Sequence, residues 1–300
     1  MAKFAKREGV MLAYPAEEKR ILAFPLLDNE DGSKSRKFFH QPKLNGERAR
    51  VEWFSEYPYL ISSYGNDFKF LDIIQEELKE LTRYLNKGNI KYDGEVYVHG
   101  WSREEIDSAL RRTKNKSVET KNLQYHIFDI QNDKPQYARL HELGVIEQAI
   151  HFLKLQTIKI VPYGVCSEID WLSHCSSYCE EGYEGIILRN PFALYETKRI
   201  PGLLKFKPTE TDTYRILSVN EAVSLEGELK GMVGSFTVQA TDEPAEGTFD
   251  VGAGKLKHTQ RIQYWKNKDQ CIGRMLVVKH ELLRTTNQVP IAAVTVDVIW

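Results

Sequence analysis

Apolar and polar positions alternate through Arg48 to Trp53 and again through Tyr59 to Ser63, with Tyr57-Pro58 between them. That pattern predicts a strand, a turn and a returning strand, and it places Lys43 at a strand entrance. Leu71, Ile74, Leu78, Leu81 and Leu85 recur at intervals of three and four with Glu and Lys between them, so an amphipathic helix is expected to end near Lys87-Gly88. Lys91 to Val98 reads as the next strand. Ser102 with Glu105 has the sequence of a capping box and Trp101 is placed to staple onto Ile106, which predicts a helix over 103–112. A basic loop follows, with Arg111, Arg112, Lys114, Lys116 and Lys121. Leu123 to Ile130 has strand character, Leu140 to Leu155 is helical, and Ile158 to Val165 is strand-like with a proline that marks an edge or an end. Ser167 reads as the cap of a helix that stops at Gly182. Gly185 to Arg189 and Leu203 to Lys207 are then strands, separated by a loop through Pro191 and Pro201.

From Pro208 the pattern changes to short β-rich runs parted by glycine turns: Tyr214 to Ala222, Gly234 to Ala240, Thr248 to Val251, Met275 to Glu281 and Ile291 to Trp300. Gln260 to Asn267 is the one helical stretch there. The expected fold class is therefore α+β: a mixed α/β domain over 1–208, then a small five-stranded barrel with one helix over 209–300, similar in size and order to an OB-fold.

Composition narrows the class. Three hundred residues favour two domains, and 42% hydrophobic with 28% charged residues is globular rather than disordered. Lys plus Arg number 41 against 42 Asp plus Glu, so any nucleic-acid surface must come from local clustering of positive charge. No apolar run reaches membrane-span length, and Lys3, Lys6, Arg7, Glu8 and Glu17 interrupt the first twenty residues where a signal-peptide core would lie. An intracellular, cytoplasmic protein is expected. Cys166, Cys175, Cys179 and Cys271 lack zinc or disulfide-scaffold spacing; His174, Cys175 and Cys179 approach a ligand cluster without a fourth member, so reduced structural thiols are expected.

The most informative segment is Gln41-Pro42-Lys43-Leu44-Asn45-Gly46-Glu47-Arg48. A lysine beside a glycine turn can act as a covalent nucleophile where neighbours tune its amine, and Arg48 could hold an anionic or sugar group nearby; alone, the same residues also fit a surface turn. Glu95 and Glu184 lie among apolar residues, where a carboxylate is costly unless a ribose hydroxyl, a metal ion or a salt bridge meets it. Lys205 and Lys207, two apart on a strand, share one face and call for an anion or for solvent. Phe128 fits a core aromatic. Gly252-Ala253-Gly254 has no third glycine in register and reads as a barrel turn, not a dinucleotide fingerprint.

Taken together, these segments resemble the ATP-dependent DNA ligases of the small type found in bacteriophages and large DNA viruses, within the covalent nucleotidyltransferases. Lys43 to Arg48 matches the first motif, K-x-D-G-x-R, except at Asn45. Asp93-Gly94-Glu95-Val96-Tyr97, Tyr125-His126-Ile127-Phe128-Asp129, Tyr183-Glu184-Gly185-Ile186-Ile187-Leu188-Arg189 and Leu204-Lys205-Phe206-Lys207-Pro208 are similar to later motifs in the family's order. Gly231 to Phe236 and Phe249 to Gly254 resemble its OB domain.

The resemblance implies that Lys43 is the catalytic residue, forming a lysyl-adenylate from ATP before AMP passes to a 5′-phosphate at a nick in duplex DNA. It implies ATP/AMP contacts from Gln41, Arg48, Glu95 (ribose), Phe128 (stacking on adenine), Glu184, Lys205 and Lys207. Mg²⁺ would be held by Glu184 and Glu95, and the protein would act as a monomer without a membrane. Candidate DNA contacts are Asn45, Ser63, Lys114, Lys116, Lys255 and Lys257. An RNA ligase, a capping-type nucleotidyltransferase and a catalytically impaired DNA-end-binding protein are the alternatives. Three departures stand out: Asn45 replaces an acidic residue, Ser63 stands at an arginine position, and no Lys or Arg follows Arg284, where the family carries a basic last motif.

Overall fold

A computed structural model describes residues 7–239, 247–281 and 289–300. The chain divides into two compact units, Met1–Phe206 and Lys207–Trp300. The first contains β1 (Leu12–Pro15), α1 (Glu18–Ile21), β2 (Leu26–Asp28), β3 (Lys34–Lys43), β4 (Glu47–Phe54), β5 (Tyr57–Ser62), α2 (Asp72–Leu85), β6 (Tyr92–Tyr97) and α3 (Arg103–Leu110). It continues with β7 (Gln124–Ile130), α4 (Gln136–Leu153), β8 (Ile158–Ile160), β9 (Gly164–Ser167), α5 (Trp171–Glu180), β10 (Gly185–Arg189) and β11 (Arg199–Phe206).

These strands form two sheets. One has the order β1-β11-β10-β3-β2 with β9 also on β3; the other runs β5-β4-β6-β7-β8. The chain crosses between them at Leu44-Asn45-Gly46, where β3 of the first sheet leads into β4 of the second, and again at Val161-Pro162-Tyr163 between β8 and β9. Ile74, Leu78 and Leu81 of α2 and Leu140, Leu143 and Ile146 of α4 cover the second sheet, burying Val51, Leu60, Ile127 and Ile158. Trp171 and Cys175 of α5 pack with Phe38, Ile186, Leu188 and Leu204 of the first.

Several local expectations change. Lys43 ends a strand rather than entering one, because Lys34 to Lys43 is itself β3, whose exposed, polar first half hides the strand in the sequence. Tyr57-Pro58 lies inside β5; the turn is at Ser55, with φ 57°, and Pro58 is tolerated because β5 is an edge strand. Ile158 to Val165 is two strands in different sheets, split at Pro162. Ser167 belongs to β9, and Asp170 stands at the N-cap position of α5, its Oδ1 accepting from the Ser167 N–H at 2.6 Å and from its hydroxyl at 2.9 Å. The predicted capping box of α3 is present, with Ser102 Oγ accepting from the Glu105 N–H and the Glu105 carboxylate from the Ser102 N–H.

The second unit contains β12 (Thr209–Val223), β13 (Leu229–Gln239), β14 (Thr248–Gly252), α6 (His258–Lys266), α7 (Lys268–Cys271), β15 (Met275–Glu281) and β16 (Val294–Ile299). They close a barrel in the order β12-β13-β14-β16-β15, with β15 returning to β12 and β16 parallel to β14. This is the OB arrangement, with the helices between its third and fourth strands. Its core is Ile216, Val233, Phe236, Val238, Val251, Leu276 and Val278. Ala240, Arg284 and Gln288 lie outside the described residues. No helix among the described residues is long and apolar enough to cross a membrane.

One carboxylate fastens α2 to the edge of the second sheet. Glu77 accepts from the backbone N–H groups of Gln156, Thr157 and Ile158 at 2.8, 2.8 and 3.2 Å and from the Thr157 hydroxyl at 2.7 Å. Glu77→Ala would leave these donors unpaired, and a loss of about 1–3 kcal/mol is expected from urea unfolding.

Candidate active site

Strand β3 brings Gln41 and Lys43 onto one face, beside Ile187 and Gly185 of β10. Glu184, just before β10, donates its N–H to the Lys43 carbonyl at 3.0 Å, and its carboxylate forms an ion pair with the Lys43 ammonium. Lys43 Nζ also lies 3.3 Å from the Leu44 carbonyl oxygen. The turn that follows depends on Gly46, because a Cβ there would run into the Val96 carbonyl oxygen. The close approach lets the Gly46 N–H donate to Glu95 Oε1 at 2.6 Å. Burial pushes the Glu95 carboxyl above its usual range and nearby Glu184 adds to this, while Lys43 and the Gly46 N–H pull in the opposite direction. The lysine thus stands at the seam of the sheets between two carboxylates.

Phe128 reaches the same seam through a bulge. Register between β6 and β7 shifts from Asp93 opposite Asp129 to Gly94 opposite Ile127, so Phe128 is the extra residue. Its ring is flanked by the guanidiniums of Arg48 and Arg189, 5.3 and 5.6 Å from the centroid. Arg48 is fixed by two hydrogen bonds to Asp93, which also accepts from the Tyr195 hydroxyl. Burial alone would push the Arg48 guanidinium down, but the Asp93 carboxylate outweighs it and raises it above its ordinary value.

Behind Phe128, Asp129 accepts from Arg139 at 2.7 and 3.2 Å and from Arg189 at 2.8 Å. Arg189 donates to Gln41 Oε1 at 2.6 Å, and the other end of that amide, Nε2, donates to the Phe128 carbonyl at 3.3 Å. Asp93, Asp129, Arg139 and Gln136 are at most 1% exposed. The predicted residues Gln41, Lys43, Arg48, Glu95, Phe128 and Glu184 are therefore brought together by a buried polar frame of Asp93, Asp129, Gln136, Arg139, Arg189 and Tyr195 that sequence reasoning missed. A signal existed: Asp129 sits in an apolar strand just as Glu95 does, and needs a partner for the same reason.

Across the second sheet, Glu95 is opposite His126 and His126 is opposite Lys159. Burial first, then the charges of Lys159 and His99, lower the His126 imidazole to about 4. On β3, His40 is also lowered to about 4, by burial and by His174, whose ring stacks on it at 4.2 Å, with Asp170 opposing. Burial likewise pushes the Cys166 and Cys175 thiols up to about 12. Among the described residues no group of three His, Cys, Asp or Glu side chains is arranged to hold a metal ion.

The remaining predicted residues are spread more widely. Lys205, in β11, is opposite Ile187 and so lies in the cross-strand row of Gln41. Lys207 lies beyond the end of β11, in the second unit, where its ammonium meets Glu281 at 3.0 Å; the two lysines are not successive members of one strand face. Asn45 is half-buried in the turn. Ser63 is 2% exposed beneath the N-terminal segment, so its hydroxyl is not presented to DNA. Lys114 is exposed, Lys116 pairs with Asp72 at 2.8 Å, and Lys255 and Lys257 are exposed between β14 and α6.

Comparison with known proteins settles the family. The family described as ATP dependent DNA ligase domain matches residues 11–207. The chain belongs to this family. A DNA ligase of African swine fever virus (isolate Pig/Kenya/KEN-50/1950) is 28% identical over 178 residues, which cover 56% of this chain and 41% of the viral protein. The chain thus spans well under half the length of that relative. Among solved structures, Pmar-Lig_PreS3 is similar with a TM-score of 0.77 at 20% identity, over 96% of this chain and 67% of the other. A Lig E DNA ligase is similar with a TM-score of 0.71 at 20% identity, over 97% and 99%. At these identities the structural likeness speaks to the fold, and both units of this ligase-family chain take part in it.

Asp129→Asn leaves Arg139 and Arg189 buried without their counter-charge, and should cost about 3–5 kcal/mol in chemical unfolding. The unfolded imidazoles of His40 and His126 take up protons near 6.5, whereas the folded ones do so near 4. Stability should therefore decline as pH falls from about 6.5 to about 4 and level off below, with NMR midpoints for both rings near 4.

Proposed function

We propose that this protein is an ATP-dependent DNA ligase that seals nicks in duplex DNA as an intracellular, cytoplasmic monomer. The observation that carries the reading is Lys43, held at the sheet seam against Glu184 and beside Glu95, with Phe128 tied to the same strand through Gln41. Its amine, freed of a proton, attacks the α-phosphorus of ATP; a P–N bond forms, the α–β bridging P–O bond breaks and pyrophosphate leaves. The 5′-phosphate at the nick then displaces Lys43 from AMP, making a DNA-adenylate. Finally the 3′-hydroxyl loses its proton and attacks the phosphorus of the 5′-phosphate; the phosphodiester bond forms, the P–O bond to the bridging oxygen breaks and AMP departs.

In this scheme Phe128 stacks on the adenine, Glu95 meets the ribose, and Gln41 and Arg48 complete the base and sugar pocket. Lys205 and Lys207 offset the phosphate charge. Positioning and charge neutralisation are the main demands of such transfers. Mg²⁺ is usually held by one or two carboxylates together with substrate phosphates, and Glu184 and Glu95, two hard oxygen donors flanking Lys43, fit that role. The ion would neutralise phosphate charge. Asn45, Lys114, Lys116, Lys255 and Lys257 are assigned to DNA, mostly to its phosphates, because a nick has no fixed sequence. Ser63 is left out because it is buried.

The test is incubation with ATP labelled at the α-phosphate and Mg²⁺, followed by denaturing electrophoresis before and after addition of nicked duplex. Wild type should become labelled and lose the label with sealing, while Lys43→Ala should take up none. Normal labelling of Lys43→Ala, or a wild type that neither labels nor seals, would overturn the reading.

A further inference from the structure

Arg103, Asp107 and Arg111 are four residues apart in sequence, so α3 and its C-terminal cap carry them on one face. Glu47, the first residue of β4 after the Lys43 turn, faces the same place and is largely buried. The two arginines are held alike. Asp107 Oδ1 lies 3.3 Å from Arg103 Nε and 3.1 Å from Arg111 Nε, and Glu47 Oε2 takes the Nη2 group of each, at 2.9 Å for Arg111. Glu47 Oε2 thus hydrogen-bonds to both guanidiniums and Asp107 Oδ1 adds a charge at ion-pair distance from each, which sets them side by side, and among the described residues nothing engages either Nη1 group. The Glu47 side chain is 8% exposed and that of Arg111 59%, so a carboxylate lies beneath and a guanidinium faces solvent.

We infer that Arg103 and Arg111 form a preorganised clamp for a phosphate of the DNA backbone beside Lys43. Guanidinium forks match phosphate oxygens, and fixing them in advance removes the side-chain ordering that a surface lysine would undergo on binding. The clamp lies close to the chemistry: Glu47 is opposite Val96, next to Glu95, and the Arg103 charge reaches the Glu95 carboxyl. This inference rests on the nucleic-acid reading above, though phosphate is also present in ATP, and the two sources are separable.

The experiment measures binding of a fluorescent nicked duplex, without ATP, over a range of salt concentrations. Arg111→Ala should weaken binding about tenfold and flatten the slope of log affinity against log salt by about 1. Arg111→Lys should recover part of the loss, because the charge returns without the fork. Unchanged affinity and slope in Arg111→Ala, or an equal loss in Arg112→Ala, whose guanidinium is directed to the Ser108 carbonyl instead, would overturn the clamp. Loss of labelling from ATP in Arg111→Ala with DNA binding intact would assign the phosphate to the nucleotide and overturn the DNA assignment. Because binding is read without ATP, a wild type that fails to label but shows the expected Arg111 dependence would sink the ligase reading and leave the clamp standing.

Discussion

The geometry of the first unit hangs on Asp129. Its carboxylate sits at the seam of two sheets and receives one guanidinium from α4 and another from β10, neither with access to water. Burying three charges is costly unless every oxygen and N–H is engaged, and here Gln41, Gln136 and backbone carbonyls take the donors that Asp129 leaves over. An apolar interface would bind the sheets as firmly, but would let them slide. Directional hydrogen bonds fix both spacing and register, and the positions of Gln41, Phe128 and Arg48 follow from them.

Lys43 occupies the rim of this frame, where a cation lies between Glu184 and Glu95. The arrangement is self-consistent without a ligand, since each carboxylate has a partner from the turn itself. A polyanion entering there must bring or meet further positive charge. Lys205, in the row of Gln41, belongs to the same face of the first sheet as Lys43.

The sequence makes α2 and α3 plain because their apolar spacing and the Ser102–Glu105 cap are local signals, and the barrel strands are plain because glycine turns separate them. Strand β3 is not, since its first half is exposed and polar while its second half buries His40 and Gln41 against other strands. The split at Pro162 is equally hidden: an apolar run gives no sign that its two ends pair in different sheets. Of the candidate site, the lysine, the two glutamates and Phe128 stand in recognisable segments. Arg139 and Gln136 do not, because a charged or amide residue on a helix reads as surface until its partners, distant in sequence, are known. Lys207 shows the converse, a spacing of two that implied a shared strand face where the strand has already ended.

The two crossings between sheets also bear on how the chain is made. Strand β3 is synthesised early, yet β9 and β10, which flank it, lie far downstream. During translation the second half of the lysine strand therefore emerges with neither edge paired, and stays so until residues 164–189 clear the ribosome. The exposed charges of Lys34 and Lys37, and the polar His40 and Gln41 among its buried side chains, leave that waiting strand less suited to pairing with a neighbouring nascent chain.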